Sequence, residues 1–383
     1  MKKITLLATL LFGSFYLASA QNTWSELCSP TSHINANGAI YALDTDPHGN
    51  VYAAGAFKLS SGASEVMKFN GTTWSQVGTL SANGIGIRHI LVKDSNDIYA
   101  CGWFTNSSGF TYVAHWDGTS WREVGGTSTS PLHGNGPVWD LGIDNSGNLY
   151  ACGYFTNSSG MNYVAKWDGT VWSEVGTGAN SLGANSTVWD LEIDNSNNIY
   201  VSGYFTDNQG FRYAAKWNGT TWTTLTGTTG LLNANNIITM AYLDKTKNEY
   251  YVGGRFKNSN GNQYVAKWDG SNWSQVGNTP FNGDFVCMIQ DKSGNLLAAG
   301  AHTNTSGYTS VYKWDGLNWT EVNGTTGPLN GSAATYWLAL NKGILYTSGY
   351  FTDANAFYYV AKTDYLETSQ NTGLTAGISN ESP

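Results

Sequence analysis

The sequence predicts an all-β protein: a seven-bladed β-propeller of four-stranded blades. Three observations carry that prediction. The first is composition. Of 383 residues only 12% are charged, 46 are Gly, and 16 Trp, 23 Tyr and 14 Phe stand beside 5 Met. An average globular chain is about 25% charged and about 7% Gly. A disordered chain would lack the aromatics, and a helical bundle would be rich in Ala, Glu, Lys and Leu. The second is an internal repeat, at 51–79, 98–126, 149–177, 199–227, 251–278 and 296–324, with an incomplete seventh copy at 345–364. The third is its marker, a tryptophan at 24, 74, 121, 172, 222, 273 and 319, spaced by 50, 47, 51, 50, 51 and 46 residues. A period near fifty with β-rich runs matches propeller blades.

The elements follow in chain order. Lys2 and Lys3, an apolar stretch over 4–17, and Ala18-Ser19-Ala20 read as a signal peptide over 1–20, so export to a secreted or cell-surface location of bacterial type is expected. No later run reaches the roughly 18 apolar residues of a membrane span. The propeller is expected over 21–364. Its third blade shows the pattern: runs at 138–144, 149–155, 163–167 and 171–175, with Asn145-Ser146-Gly147-Asn148 and Asp168-Gly169 as turns. Asx-Gly pairs between β-rich runs are hairpin signals. The seventh copy lacks its fourth run, and Thr23-Trp24-Ser25-Glu26-Leu27 supplies it. The N-terminal strand is therefore expected to join the C-terminal blade and close the ring without a long exposed edge. Residues 365–383 lack aromatics after Tyr365 and read as a disordered tail or linker. Within them, 372–383 resembles linkers that precede C-terminal sorting domains of type IX secreted proteins.

Each copy carries an apolar strand ending in glycine, as Gly253-Gly254, Cys101-Gly102 or Cys152-Gly153. An aromatic follows at Trp116, Trp167, Trp217, Trp268 or Trp314, and the marker tryptophan comes five residues later. This pattern resembles Kelch-type, galactose-oxidase-like propellers, with a shorter final turn. The D-x-x-G-N-x-Y stretches resemble the bacterial SBBP repeats. The resemblance covers about residues 22–364 and implies the propeller fold. It does not carry over oxidase chemistry. His33, His48, His89, His115, His133 and His302 are scattered without metal-ligand spacing. Asp168 to Trp172 resembles a sialidase Asp box but lacks one spacer residue. The four arginines, Arg88, Arg122, Arg212 and Arg255, occupy unrelated repeat positions. No cofactor or metal is expected.

Net charge is −8 with no basic stripe, which argues against nucleic-acid binding. Short, uniform turns occupy one face of the disc, and longer, variable loops the other. Binding residues favour loops on rigid scaffolds, so a site is expected on the second face. Three sets of candidates lie there. Asn37, Asn83, Asn135, Asn185, Asn235, Asn282 and Asn330 precede the inner strands. They form either a polar ring for a ligand or loop residues satisfying local backbone. Trp139-Asp140 and Trp189-Asp190 begin two neighbouring inner strands. They offer either acid/base carboxylates or blade-packing tryptophans with hydrogen-bonded aspartates. Phe110, Phe211, Tyr308 and Phe357, with Ala63, Met161 and Asn262 at matching places, sit at the tips of the two-to-three loops. They suit a protein hot spot or a sugar ring, or packing against a neighbouring loop. Cys101 and Cys152 hold one position in adjacent blades. Sheets pack about 10 Å apart and a disulfide needs Cα atoms within roughly 7 Å, so these two are expected to be unbonded.

The reading of function is a secreted, monomeric scaffold with no catalytic constellation: a binding module whose partner is a protein or glycan on the variable loop face. The alternatives are a multivalent lectin, and a glycoside hydrolase or lyase using acidic residues near the central channel.

Overall fold

The computed structural model describes residues 24–58, 64–80, 83–322 and 333–365, with backbone alone at 83–85. Within them lie seven antiparallel four-stranded sheets and a single 3-10 turn at Gly178–Asn180. The leader, Asn330, Ala63 and all but the first residue of the tail fall outside the described residues. The innermost strands run from the first blade to the seventh as Ile40–Thr45, Asn83–Asp94, Val138–Ile143, Val188–Ile193, Ile238–Asp244, Phe285–Gln290 and Thr335–Asn341. Ring closure is as the sequence predicts. Strand Ser25–Glu26 pairs with Ala361–Asp364, and Leu27 N–H donates to Val360 O at 2.7 Å. Trp24 and Leu27 are buried beneath this join. The last described residue, Tyr365, is also buried, and its hydroxyl donates to Asp291 Oδ2 at 2.8 Å.

The marker tryptophans tie neighbouring blades. The indole N–H of Trp172 donates to Val124 O at 2.9 Å, in the outer part of the preceding blade. Trp74, Trp121, Trp222, Trp273 and Trp319 make the equivalent bond to Leu27, Val77, Val175, Leu225 and Val276. A ring that buries area and places one donor suits a repeated joint. The turn motifs are likewise structural. Asp144 Oδ1 accepts from Ser146 and Asn148 N–H, and Oδ2 from the Asn148 amide and Tyr150 hydroxyl. Asp168 Oδ1 accepts from Thr170 and Val171 N–H. Both are Asx turns.

Two features of the inner strands position the site. Each carries a β-bulge near its start, where one extra residue opposes the second strand. The glycine ending each second strand sits against this bulge. A Cβ at Gly153 would run into the carbonyl oxygen of Pro137, and one at Gly203 into that of Thr187. The motif glycine is therefore a close-approach residue. All four cysteines are free, with Cys101, Cys152 and Cys287 buried and Cys28 half-buried, as expected for the first pair.

Candidate functional site

The bulges re-aim one side chain per blade toward the central channel, a common use of this irregularity. The extra residues are Tyr41, Arg88, Trp139, Trp189, Thr239, Val286 and Tyr336. All seven line one cavity of about 480 Å³ on the axis of the ring, within the range of small-molecule sites. The counterparts of Trp139-Asp140 in the fifth blade are thus Thr239-Met240.

The mouth is aromatic. Trp139 and Trp189 stack with ring centroids 4.4 Å apart, and Trp103 meets Trp139 edge-on at 5.8 Å. Across the opening, Tyr41, Tyr336 and Tyr350 form an edge-to-face trio, with Tyr41 and Tyr350 hydroxyls 3.1 Å apart. Arg88 lies between the two groups, its guanidinium 4.0 Å from the Tyr41 ring centre and 5.0 Å from that of Trp139. Around the rim, Trp103, Tyr154, Tyr204 and Tyr350 follow the close-approach glycines and are exposed, Tyr154 by 54%.

Below the mouth the acidic groups face inward but are committed to the scaffold. The inner edge of a blade leaves backbone N–H groups without a strand partner. Asp140 Oδ2 accepts the Leu191 N–H of the next blade at 2.8 Å, and Asp190 Oδ2 accepts that of Ala241 at 2.9 Å. Asp44 Oδ2 and Cys287 Sγ do the same for Val92 and Leu338. Asp140 also pairs with His89 at 2.5 Å. Burial, reinforced by the Asp140 charge, pushes the Asp190 carboxyl well above the usual range. Burial raises Glu192 to about 8 and Asp44 to about 6. For His89, burial alone would lower the imidazole, and the Asp140 charge and hydrogen bond overcome it, leaving it raised. At neutral pH these acids therefore divide into two protonated ones, Asp190 and Glu192, the ionised Asp44, and Asp140 in its pair with His89.

The described asparagines act as latches between loops. Asn135 Oδ1 accepts from Thr156 N–H at 2.8 Å, and its amide donates to Thr156 Oγ1 at 2.9 Å. Asn37, Asn185, Asn235 and Asn282 accept from Lys58, Thr206, Lys257 and Thr303 N–H in the same way. The side chain of Asn83 is outside the described set. The loop-tip residues lie away from the cavity. Phe110 stacks on His133 at 4.4 Å, Phe211 is half-buried, and Met161, Tyr308 and Phe357 are exposed. Of the sequence candidates, the structure gathers Trp139, Asp140, Trp189 and Asp190 at one place. Arg88, Tyr41, Thr239, Tyr336 and the rim aromatics were not singled out. Aligning the copies on the paired apolar residue two further along each inner strand, Leu43, Ile90, Leu141, Leu191, Ala241, Met288 and Leu338, is the signal that finds them.

The scattered histidines also include one cluster. Ligand atoms of Glu26, Cys28 and His33 lie within 4.8 Å of one another. His33 Nδ1 and Glu26 Oε1 are already paired at 2.9 Å.

No family model matches the chain, and no curated protein does. Solved structures show the class: the fold is that of the β-propellers. PorZ, a surface component of the type-IX secretion system of Porphyromonas gingivalis, superposes with TM-score 0.59 at 14% identity over 87% of this chain and 48% of its own. The extracellular domain of a one component system of B. thetaiotaomicron gives 0.56 at 12% identity over 89% and 40%. YCF48 bound to D1 peptide gives 0.53 at 12% identity over 91% and 99%. The chain spans less than half the length of the first two. No helix among the described residues is long and apolar enough to cross a membrane.

Proposed function

We propose that this chain is an exported, non-catalytic binding module, monomeric, that seats its ligand in the mouth of the central channel. The repeat is Kelch-like with SBBP-type turns, and the site lies on the variable loop face. The observation that carries the reading is the bulge column: seven equivalent positions turned to one cavity, filled by unlike side chains in a ring that is otherwise regular. Extracellular and peptide-bound propellers among the structural neighbours support a binding role. The commitment of Asp140 and Asp190 to backbone N–H groups supports a structural part for both carboxylates. The stacked Trp139–Trp189 pair favours a sugar ring over a flat protein surface, because aromatic faces suit the apolar side of a pyranose. The test is binding of an array of glycans and peptides by the wild-type chain and by Trp139→Ala/Trp189→Ala. The reading expects binders whose signal the double variant loses. Binding that ignores the double variant, or turnover of a bound sugar that Asp140→Asn abolishes, would overturn it.

A further inference from the structure

We propose that the ligand of the channel mouth is anionic: a saccharide carrying a carboxylate, which Arg88 receives. The inference rests on the mouth being the binding site. Its basis is the unusual position of one cation. Arg122 and Arg255 pair with Asp117 and Asp284 at 3.3 and 2.7 Å, and Arg212 lies over the Tyr204 ring at the rim, outside the cavity lining. Arg88 alone of the four lines the cavity, and no carboxylate pairs with it among the described residues. Tyr41 and Trp139 hold its guanidinium from two sides. Contact with both rings restrains the guanidinium without using up its N–H donors, and a carboxylate matches that fork with two parallel bonds. The indole N–H of Trp139 likewise has no acceptor among the described residues.

The charges facing Arg88 permit an anion. Asp140 is compensated by His89, Asp284 by Arg255, and Asp97 by Lys93 and His115. Asp190 and Glu192 are held protonated by burial. Asp44 is the remaining acid, and its carboxylate is bound to two N–H groups. Lys245 adds a further cation to the lining. A uronic acid at the end of an oligosaccharide satisfies both halves of the mouth: the ring against the Trp139–Trp189 stack, the carboxylate on Arg88.

The experiment measures binding of a glucuronate-terminated disaccharide, its methyl ester and a tripeptide with a free C-terminal Trp, by calorimetry at low and moderate salt. The proposal expects the disaccharide to bind and the ester to bind at least tenfold more weakly. Arg88→Gln should weaken the acid by roughly 10- to 100-fold, the scale of a lost charged hydrogen bond. Arg88→Lys, which keeps the charge, should recover part of that loss, and unfolding midpoints check that both variants fold. Equal affinity for acid and ester, or indifference to Arg88→Gln, overturns the anionic assignment while leaving a mouth site intact. Tripeptide binding without disaccharide binding overturns the saccharide. Array binders unaffected by Trp139→Ala/Trp189→Ala overturn the mouth itself.

Discussion

Replacing His302 with Phe should make the protein more resistant to acid. In six blades the residue two after the close-approach glycine is phenylalanine: Phe57, Phe104, Phe155, Phe205, Phe256 and Phe351, each almost wholly buried. The sixth blade has His302 instead, at 0% exposure. Its imidazole sits 5.0–5.3 Å from the rings of Phe281, Phe285 and Tyr312. Burial lowers it from 6.5 to about 4. The unfolded chain then binds a proton that the folded chain refuses, so His302 withdraws stability as pH falls from 6.5 toward 4. A shift of that size corresponds to about 3 kcal/mol at pH 4. His302→Phe removes this loss, and the wild-type/variant difference isolates it from the other titrating groups. Urea unfolding of both proteins at pH 7 and pH 4 is the assay. The variant should gain about 3 kcal/mol at pH 4 relative to its difference at pH 7. A difference that is the same at both pH values would show that His302 titrates normally, and the argument from burial would fail.

Three further outcomes are expected. Leu27→Ala, under the ring join, should cost about 2–5 kcal/mol of unfolding free energy, as buried Leu truncations do; urea unfolding checks it, and a loss under 0.5 kcal/mol would place closure elsewhere. Glu192 is raised from 4.5 to about 8, so its contribution is full below pH 4.5 and disappears as pH rises through 8. Glu192→Gln should therefore flatten the stability profile between those values and be the more stable form above pH 8, by about 5 kcal/mol at most; parallel profiles would refute this. Finally, a thiol reagent should titrate Cys28 in the native protein and Cys101, Cys152 and Cys287 only on unfolding; a second fast thiol would contradict the burial described.

The repeat made the architecture legible, and each reason is visible in a side chain. The marker tryptophans recur because each supplies one indole donor to the blade before it, as Trp172 does for Val124. The glycines recur because the bulge brings a carbonyl where a Cβ would stand, as Pro137 does at Gly153. The permuted strand at Trp24 was readable because a blade with three runs leaves an edge. The site was only half legible. Trp139 and Trp189 attracted notice through the identical V-W-D-L, whereas Arg88 and Thr239 did not, because nothing in a sequence announces a bulge. The extra residue reverses the alternation of facing, so a strict period of two assigns Arg88 to the wrong side. The asparagines were legible as a column but not as latches, since their partners lie 21 or 22 residues on.

Internal repeats also allow a comparison of blade against blade. Columns that hold the ring together keep one chemistry: Trp on the outer strand, Gly at the bulge, Phe beneath it. The bulge column holds Tyr, Arg, Trp, Trp, Thr, Val and Tyr in turn. These side chains share a backbone geometry, so the scaffold does not dictate their identity. Packing cannot account for the spread either, because the positions converge on an open cavity rather than on a neighbouring sheet. His302 departs from its column too, but into the core, where the departure costs acid stability and offers no contact to a ligand. Variation that faces the channel therefore differs physically from variation that faces the interior. The first can be tested by affinity at constant stability, the second by stability at constant affinity. Arg88→Gln and His302→Phe separate the two, and a site at the mouth requires each variant to move only its own quantity.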